Sequence, residues 1–223
     1  MKVLIINGSP KAKGNTALAL DEIAREFVGL GVETETLHIG NRDIRGCVCC
    51  NTCFSAGKCV FNDAVNEAAA KLAGADGLIV GSPVYYASPN GTLLSFLDRL
   101  FYSTQGLDKR MKVGASVVVC RRGGASASFD ALNKYFTICG MPVVSSQYWN
   151  SVHGLEPGEA AQDAEGLQTM RTLARNMAFL MRAIADAKAK YGLPEKEEPQ
   201  WTHFIHYERD EHQPRGDYSR PRG

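Results

Sequence analysis

Five of the chain's seven cysteines fall between Cys47 and Cys59. Four of them, Cys47, Cys50, Cys53 and Cys59, follow the pattern C-x2-C-x2-C-x5-C, and Cys49 is a further thiol inside it. A secreted disulfide framework disperses an even number of cysteines along the chain. An odd total crowded into one segment points instead to redox or metal chemistry in a reducing compartment. Four thiolates at this compact spacing suit a [4Fe–4S] cluster. A four-cysteine zinc site is the rival, although zinc motifs more usually separate their C-x2-C pairs by longer loops. Free buried thiols are the plain alternative.

A second candidate is the run Gly8-Ser9-Pro10-Lys11-Ala12-Lys13-Gly14-Asn15-Thr16, set between an apolar stretch and a helix start. Free backbone N–H groups and the helix dipole favour an anion at such a place. There is no G-x-G-x-x-G, and Gly14-Asn15-Thr16 stands where a Walker loop would end in Gly-Lys-Ser/Thr, which lowers the weight of ATP, GTP and tightly held NAD. Ser9, Lys11, Asn15 and Thr16 offer short donors and positive charge suited to a phosphomonoester. The bland alternative is a turn in which Asn15 or Thr16 caps the helix. Further along, Pro83, Val84, Tyr85 and Tyr86 put two flat rings with polar edges on a loop, a surface for a planar heterocycle or for ordinary packing. Arg121, Arg122, Gly123 and Gly124 combine backbone freedom with positive charge that could offset an anionic ring, or are merely solvated. Trp149, His153 and Gly154 could line an acceptor side.

The elements that must position these groups alternate. Lys2 to Ile6 is a β-branched run without alternation, as in a strand buried on both faces. Leu20, Ile23, Ala24, Phe27 and Val28 recur at helical steps until Gly29 to Gly31. Val32 to Ile39 reads as a more polar edge strand, Asn62 to Ala73 as a helix, and Gly77 to Val80 as a strand broken by Ser82-Pro83. Pro89 to Tyr102 is helical, and its large residues cover more of the circumference than one core stripe needs, which suggests a partner surface. Val113 to Val119 is another buried strand, Ser128 to Cys139 a helix, and Pro142 to Tyr148 a last strand. Leu167, Met170, Leu173, Met177, Leu180, Met181 and Ile184 hold the helical interval through Gly166 to Tyr191. From Pro194 the chain turns polar, with Trp201, Phe204, Ile205 and Tyr207 as isolated anchors of an extended arm. Five strands alternating with helices imply a doubly wound parallel sheet, with its ligand outside the carboxyl ends of the strands.

Composition narrows the function classes. The chain has 223 residues, 44% hydrophobic and 22% charged, which is the balance of one globular domain. Lys and Arg total 25 against 24 Asp and Glu, so the overall field favours neither nucleic acid nor an anionic membrane. No stretch approaches the roughly 20 apolar residues of a membrane span, and the amino terminus lacks a signal-peptide pattern. A cytoplasmic protein is expected, with no nucleic-acid or membrane partner.

Three pieces in order, GSPKAKGNT, the cysteine segment with GKCVFND, and GSPVYYASPNG, resemble the NAD(P)H-dependent FMN reductase and iron–sulfur flavoprotein branch of the flavodoxin-like superfamily. The resemblance spans roughly the first 150 residues. It implies a flavodoxin-like α/β fold: a five-stranded parallel sheet of order 2-1-3-4-5 with helices on both faces. Residues 1–193 would form the FMN-binding domain, with a cysteine-rich insertion at 45–62, and residues 194–223 the polar arm. It also implies FMN, with its phosphate held at Ser9, Lys11, Asn15 and Thr16 and its ring along Pro83 to Tyr86. NAD(P)H would deliver hydride as a transient substrate and a small-molecule or iron–sulfur acceptor would take the electrons in a ping-pong cycle. No side chain need act as a catalytic acid or base. A non-enzymatic electron carrier and a cysteine-rich iron–sulfur or zinc module are the other readings. The apolar helix and the arm together suggest a homodimer.

Overall fold

The computed structural model describes residues 1–198 and 200. The arm anchors Trp201, Phe204, Ile205 and Tyr207 lie outside the described residues. The strands are β1 (Lys2–Asn7), β2 (Glu33–His38), β3 (Gly77–Tyr85), β4 (Ser88–Pro89), β5 (Val113–Cys120) and β6 (Ser151–His153). The helices are α1 (Asn15–Gly29), α2 (Thr52–Ala56), α3 (Ala64–Ala73), α4 (Gly91–Ser103), α5 (Ala125–Thr137) and α6 (Ala164–Tyr191), with a 3₁₀ turn at Glu159–Gln162. Five parallel strands run in the order β2-β1-β3-β5-β6, which is the expected doubly wound order, and β4 pairs antiparallel to the end of β3.

Side chains alternate across the sheet, so each central strand feeds two cores. Val3, Ile5 and Ile79 face Leu20, Ile23 and Phe27 of α1 and Met170, Leu173, Met177 and Met181 of α6. Leu4, Ile6, Leu78 and Val80 face Leu72 of α3, Phe96, Leu97 and Leu100 of α4, and Leu132 and Phe136 of α5. Each such side chain contributes roughly 1.5–3 kcal/mol on burial. That is why the central strands read as unbroken apolar runs while the edge strand β2 does not. Among the described residues no helix is long and apolar enough to cross a membrane.

Three expectations are corrected. Pro142 to Tyr148 is not a continuous last strand. Val143 makes an isolated parallel bridge to Gly114, and β6 forms only where Ser151 reaches Val118. Four residue steps along β5 thus correspond to eight along its neighbour, and the surplus loops out with Tyr148 and Trp149 exposed. Asn150 returns the chain by donating to the Ser116 carbonyl at 3.1 Å. Ser82-Pro83 does not end β3, which continues to Tyr85. Beyond Gly81, β1 has run out and β3 keeps a parallel partner on one side only, where a residue without N–H is tolerated. The apolar surplus of α4 is covered inside the chain: Phe101 packs on Tyr135 and Phe136 of α5, and Tyr102 meets Phe54 of α2.

Candidate functional site

The loop after β1 leaves the sheet at Gly8, whose N–H donates to the Gly81 carbonyl at 2.8 Å. It is then built from its own polar groups. Ser9 N–H donates to Asn7 Oδ1 at 3.0 Å and Lys11 N–H to Ser9 Oγ at 3.2 Å. His38, at the end of β2, lies 2.7 Å from the Ser9 carbonyl through Nε2. Gly40 passes so close that a Cβ there would lie 2.2 Å from the Ser9 carbonyl carbon and oxygen, so only glycine fits. The loop delivers the chain to α1 with Gly14 at the N-cap, no side-chain cap and no acidic residue in the first turn. The N–H groups of Ala12, Lys13, Asn15 and Thr16 have no acceptor among the described residues. Lys11 and Lys13 are exposed beside them. An uncapped, acid-free helix start with unpaired donors is an anion site.

Asn15 has a different task from the one its type suggests. Its Oδ1 accepts from Gly158 N–H at 2.9 Å and Ala160 N–H at 3.3 Å, and its Nδ2 donates to the Glu156 carbonyl at 2.9 Å. It therefore fastens the segment after β6 to the start of α1 and does not cap its own helix. Thr16 is buried.

The hairpin from β3 to β4 carries the tyrosines. Tyr85 pairs with Ser88, so Tyr86 and Ala87 form a two-residue turn with φ of 51° and 58°. Both are left-handed, the geometry of a type I′ turn, without the Asn or Gly that normally occupies it. Holding each there costs about 1–2 kcal/mol. Ser82, fully buried, locks the base: its Oγ donates to the Pro83 carbonyl and accepts from Asn90 N–H at 2.9 Å. Tyr86 is fully exposed at the tip and Tyr85 about half so. Gly124, with φ of 88°, lies against this turn, and a Cβ on it would sit 2.6 Å from Ala87 Cα.

Arg121, Arg122 and Gly123 are exposed at the end of β5, and Gly124 is the N-cap of α5. Gly154 N–H donates to the Cys120 carbonyl at 3.0 Å. An open cleft of about 440 Å³ follows, lined by Arg121, His153, Gly154, Leu155, Glu159, Gln162 and Asp163. Glu159 accepts from the N–H groups of Leu155 and Glu156, which hold its carboxyl below the usual range and keep it charged. The loops after β1, β3, β5 and β6 are thus stitched together at the carboxyl ends of the strands. Trp149 does not line this cleft.

The cysteine segment lies on α4. Cys47, Cys50, Cys53 and Cys59 line one cavity with Phe61, Arg99 and Tyr102, and Cys49 does not line it. The wrap is tight: Cys49 and Asn51 have φ of 53° and 57°. Tyr102 donates to Asn51 Oδ1 at 2.9 Å. The Thr52 hydroxyl and N–H lower the Cys50 thiol from its ordinary value, and burial raises Cys53. Among the described residues no three His, Cys, Asp or Glu side chains converge on one point as a single ion requires. A cluster gives each thiolate a different iron and needs thiols around a common cavity, the arrangement present here.

Several contributors escaped the sequence reading. Ser82 and Asn90 close the hairpin, and Gly40 admits the first loop. Arg99, 1% exposed, is a charge on the apolar side of α4; its position one turn after Phe96 was the available signal. The candidate residues form two groups, one around the first loop and hairpin, the other around the cysteine cavity.

Residues 1–156 match the family of NADPH-dependent FMN reductases. An iron-sulfur flavoprotein of Methanocaldococcus jannaschii is 35% identical over 191 residues, covering 82% of this chain and 99% of that protein. Among solved structures, RosB with a bound 8-demethyl-8-formylriboflavin-5'-phosphate superposes with a TM-score of 0.67 at 15% identity over the whole of both chains. A flavodoxin from the domain Archaea superposes with a TM-score of 0.55 at 16% identity, covering 82% of this chain and 99% of that one.

Proposed function

This chain belongs to the NADPH-dependent FMN reductase family and is a flavin oxidoreductase with a flavodoxin-like fold; from that premise we propose that it binds FMN at the first loop and runs a ping-pong cycle from NAD(P)H to an acceptor. The observation that carries the reading is the start of α1: four unpaired N–H groups, no cap and no acid, at the carboxyl end of a central strand. A phosphomonoester supplies the acceptors those donors lack. Ser9, Lys11, Asn15 and Thr16 belong to this end, with Asn15 acting through the segment it fastens. When bound, FMN would supply acceptance of hydride from the nicotinamide and its release to an acceptor. The residues around it bind and orient. Gly124 and Ser82 fix the tyrosine hairpin over the ring site, and the exposed Arg121 and Arg122 add positive charge at the rim. The cleft beyond Arg121 is open for a small second substrate.

Cys47, Cys50, Cys53 and Cys59 would hold a [4Fe–4S] cluster, a reading supported by their shared cavity and by the name of the Methanocaldococcus relative. The cluster would supply one-electron chemistry beside the two-electron chemistry of the flavin. A small-molecule acceptor, a cytoplasmic setting and a homodimer belong to the same proposal. Light scattering tests the dimer.

Anaerobic mixing with NADPH tests the enzyme reading. Rapid bleaching of bound flavin, with parallel double-reciprocal lines against a quinone, is the expected result. A flavin that stays yellow overturns the proposed hydride delivery from NAD(P)H.

A further inference from the structure

Arg99 is buried to 1% exposure in the middle of α4, and its guanidinium has two clients. One edge serves a carboxylate: Nη1 and Nη2 donate to Asp63 at 2.7 and 3.0 Å. The other serves a sulfur: Nε and Nη2 lie 3.3 and 3.2 Å from Cys59 Sγ. The flat face lies 4.9 Å from the Phe61 ring centroid. Anchoring Asp63 requires only the first edge. The second is aimed at one of the four cavity sulfurs by a fork that cannot rotate away, since the carboxylate, the ring and the Arg45 carbonyl at 3.4 Å hold it.

We propose that Arg99 is a positioning residue that sets the reduction potential of the group bound by the four cysteines, through its hydrogen bonds to Cys59 Sγ. The assignment rests on the cluster reading above. Reduction adds one electron and one negative charge, shared among iron, sulfide and thiolate sulfur, and no bond forms or breaks. A charged donor on a ligand sulfur, inside a wall of low dielectric, stabilises the more negative state and raises the potential. Asp63, on the far side of the guanidinium, offsets part of that charge. The two residues therefore act with opposite sign.

The test uses the full chain, purified without air, reconstituted with iron and sulfide, assayed for both, and titrated with dithionite under EPR. Arg99→Gln is expected to shift the reduced-to-oxidised ratio at fixed potential at least tenfold toward oxidised, a midpoint lower by about 59 mV for one electron. Arg99→Lys keeps the charge but not the fork and should move the midpoint down by less. Asp63 caps α3 by accepting from Val65 N–H, and Asp63→Asn, which keeps that cap because asparagine also caps well, should move it up. The flavin midpoint should stay fixed in all three. If Arg99→Gln fails to fold, the other two variants retain the predicted opposite signs. Full iron occupancy with unmoved midpoints, shifts of one sign, or iron loss without a midpoint change in the clusters that remain would each leave Arg99 a purely structural residue and overturn the proposal. Wild-type protein that takes up no iron or sulfide removes the cluster reading, and this assignment with it, a result distinct from the others.

Discussion

Asn15 offers a separation of folding from phosphate binding. Truncation in Asn15→Ala removes three hydrogen bonds between the start of α1 and the segment from Glu156 to Ala160. Glu156 and Gly158 are exposed and can turn to water, but Ala160 is fully buried, so its N–H is left without a partner. An orphaned buried donor costs about 1–3 kcal/mol and each solvated bond about 0.5–1.5, giving roughly 2–6 kcal/mol of destabilisation. Asn15→Asp behaves differently. A carboxylate still accepts from Gly158 and Ala160, and its charge at a helix start contributes about 0.3–1 kcal/mol, which offsets the lost donor. The same charge repels an arriving phosphate. The expected outcome is a flavin-free Asn15→Asp protein whose urea midpoint is near wild type. Its FMN affinity should fall at least tenfold, about 1.4 kcal/mol, while its affinity for riboflavin, which lacks the phosphate, is unchanged. Fluorescence-quenching titrations with the two ligands read both. FMN binding within twofold of wild type, or equal losses for FMN and riboflavin, would refute the placement of the phosphate at α1.

Other consequences are as direct. Gly124→Ala combines an L residue at φ of 88° with a Cβ 2.6 Å from Ala87 Cα. It should lower Tm by roughly 4 °C or more, from about 1–2 kcal/mol of strain plus displacement of the turn, and should weaken FMN binding; differential scanning calorimetry with and without FMN checks it. Glu35 is held at about 2 by hydrogen bonds to Lys2 and Lys71, and Asp108 at about 2 by Arg110. With folded values below the unfolded ones, their stabilisation is complete above pH ~4.5 and is lost as pH falls toward 2. Urea melts of Glu35→Gln should therefore lose less stability than wild type across that window, and an equal loss would exclude the linkage. Cys49→Ser should retain the iron content of the wild type and Cys53→Ser should abolish it, measured on reconstituted protein.

The buried parallel strands were legible because such strands must be apolar on both faces, as Val3 to Ile6 are; their order followed from the resemblance. The polar loop after β1 was legible as a candidate for a related reason: two glycines, hydroxyls and lysines stand between such a strand and a helix. What hid was whatever depends on a distant neighbour. Asn15 looked like a ligand donor because nothing near it in sequence announces Gly158 and Ala160. The fifth strand was displaced because local β-propensity in Pro142 to Tyr148 does not record that β5 keeps its neighbour in only two short registers. Tyr86 and Ala87 carry none of the turn chemistry that would have revealed a type I′ hairpin, and their strain is held by Ser82 below and Gly124 alongside.

The helix α4 shows how a composition can be read correctly and assigned wrongly. Its count of large apolar residues does exceed the need of one core stripe, and a second protein was the natural claimant. The structure supplies three claimants within the chain. Phe96, Leu97 and Leu100 face the sheet, Phe101 faces α5, and Tyr102 with Arg99 faces the cysteine cavity. At its start, Asn90 caps the helix by accepting from Leu93 N–H and donates its own N–H to Ser82, closing the tyrosine hairpin. At 1.5 Å per residue, Arg99 stands about 14 Å and Tyr102 about 18 Å along the axis from Asn90. One rigid rod thus fixes the distance between the tyrosine hairpin and the cysteine cavity. An insertion of one residue after Phe101 would leave Phe96, Leu97, Leu100 and Phe101 in the core and rotate Tyr102 by about 100° away from the cysteine cavity. It should weaken iron binding while leaving FMN titration near wild type, since the first loop, Ser82 and the core face of α4 lie before the insertion. Loss of both together would mean that the two sites are not mechanically separate.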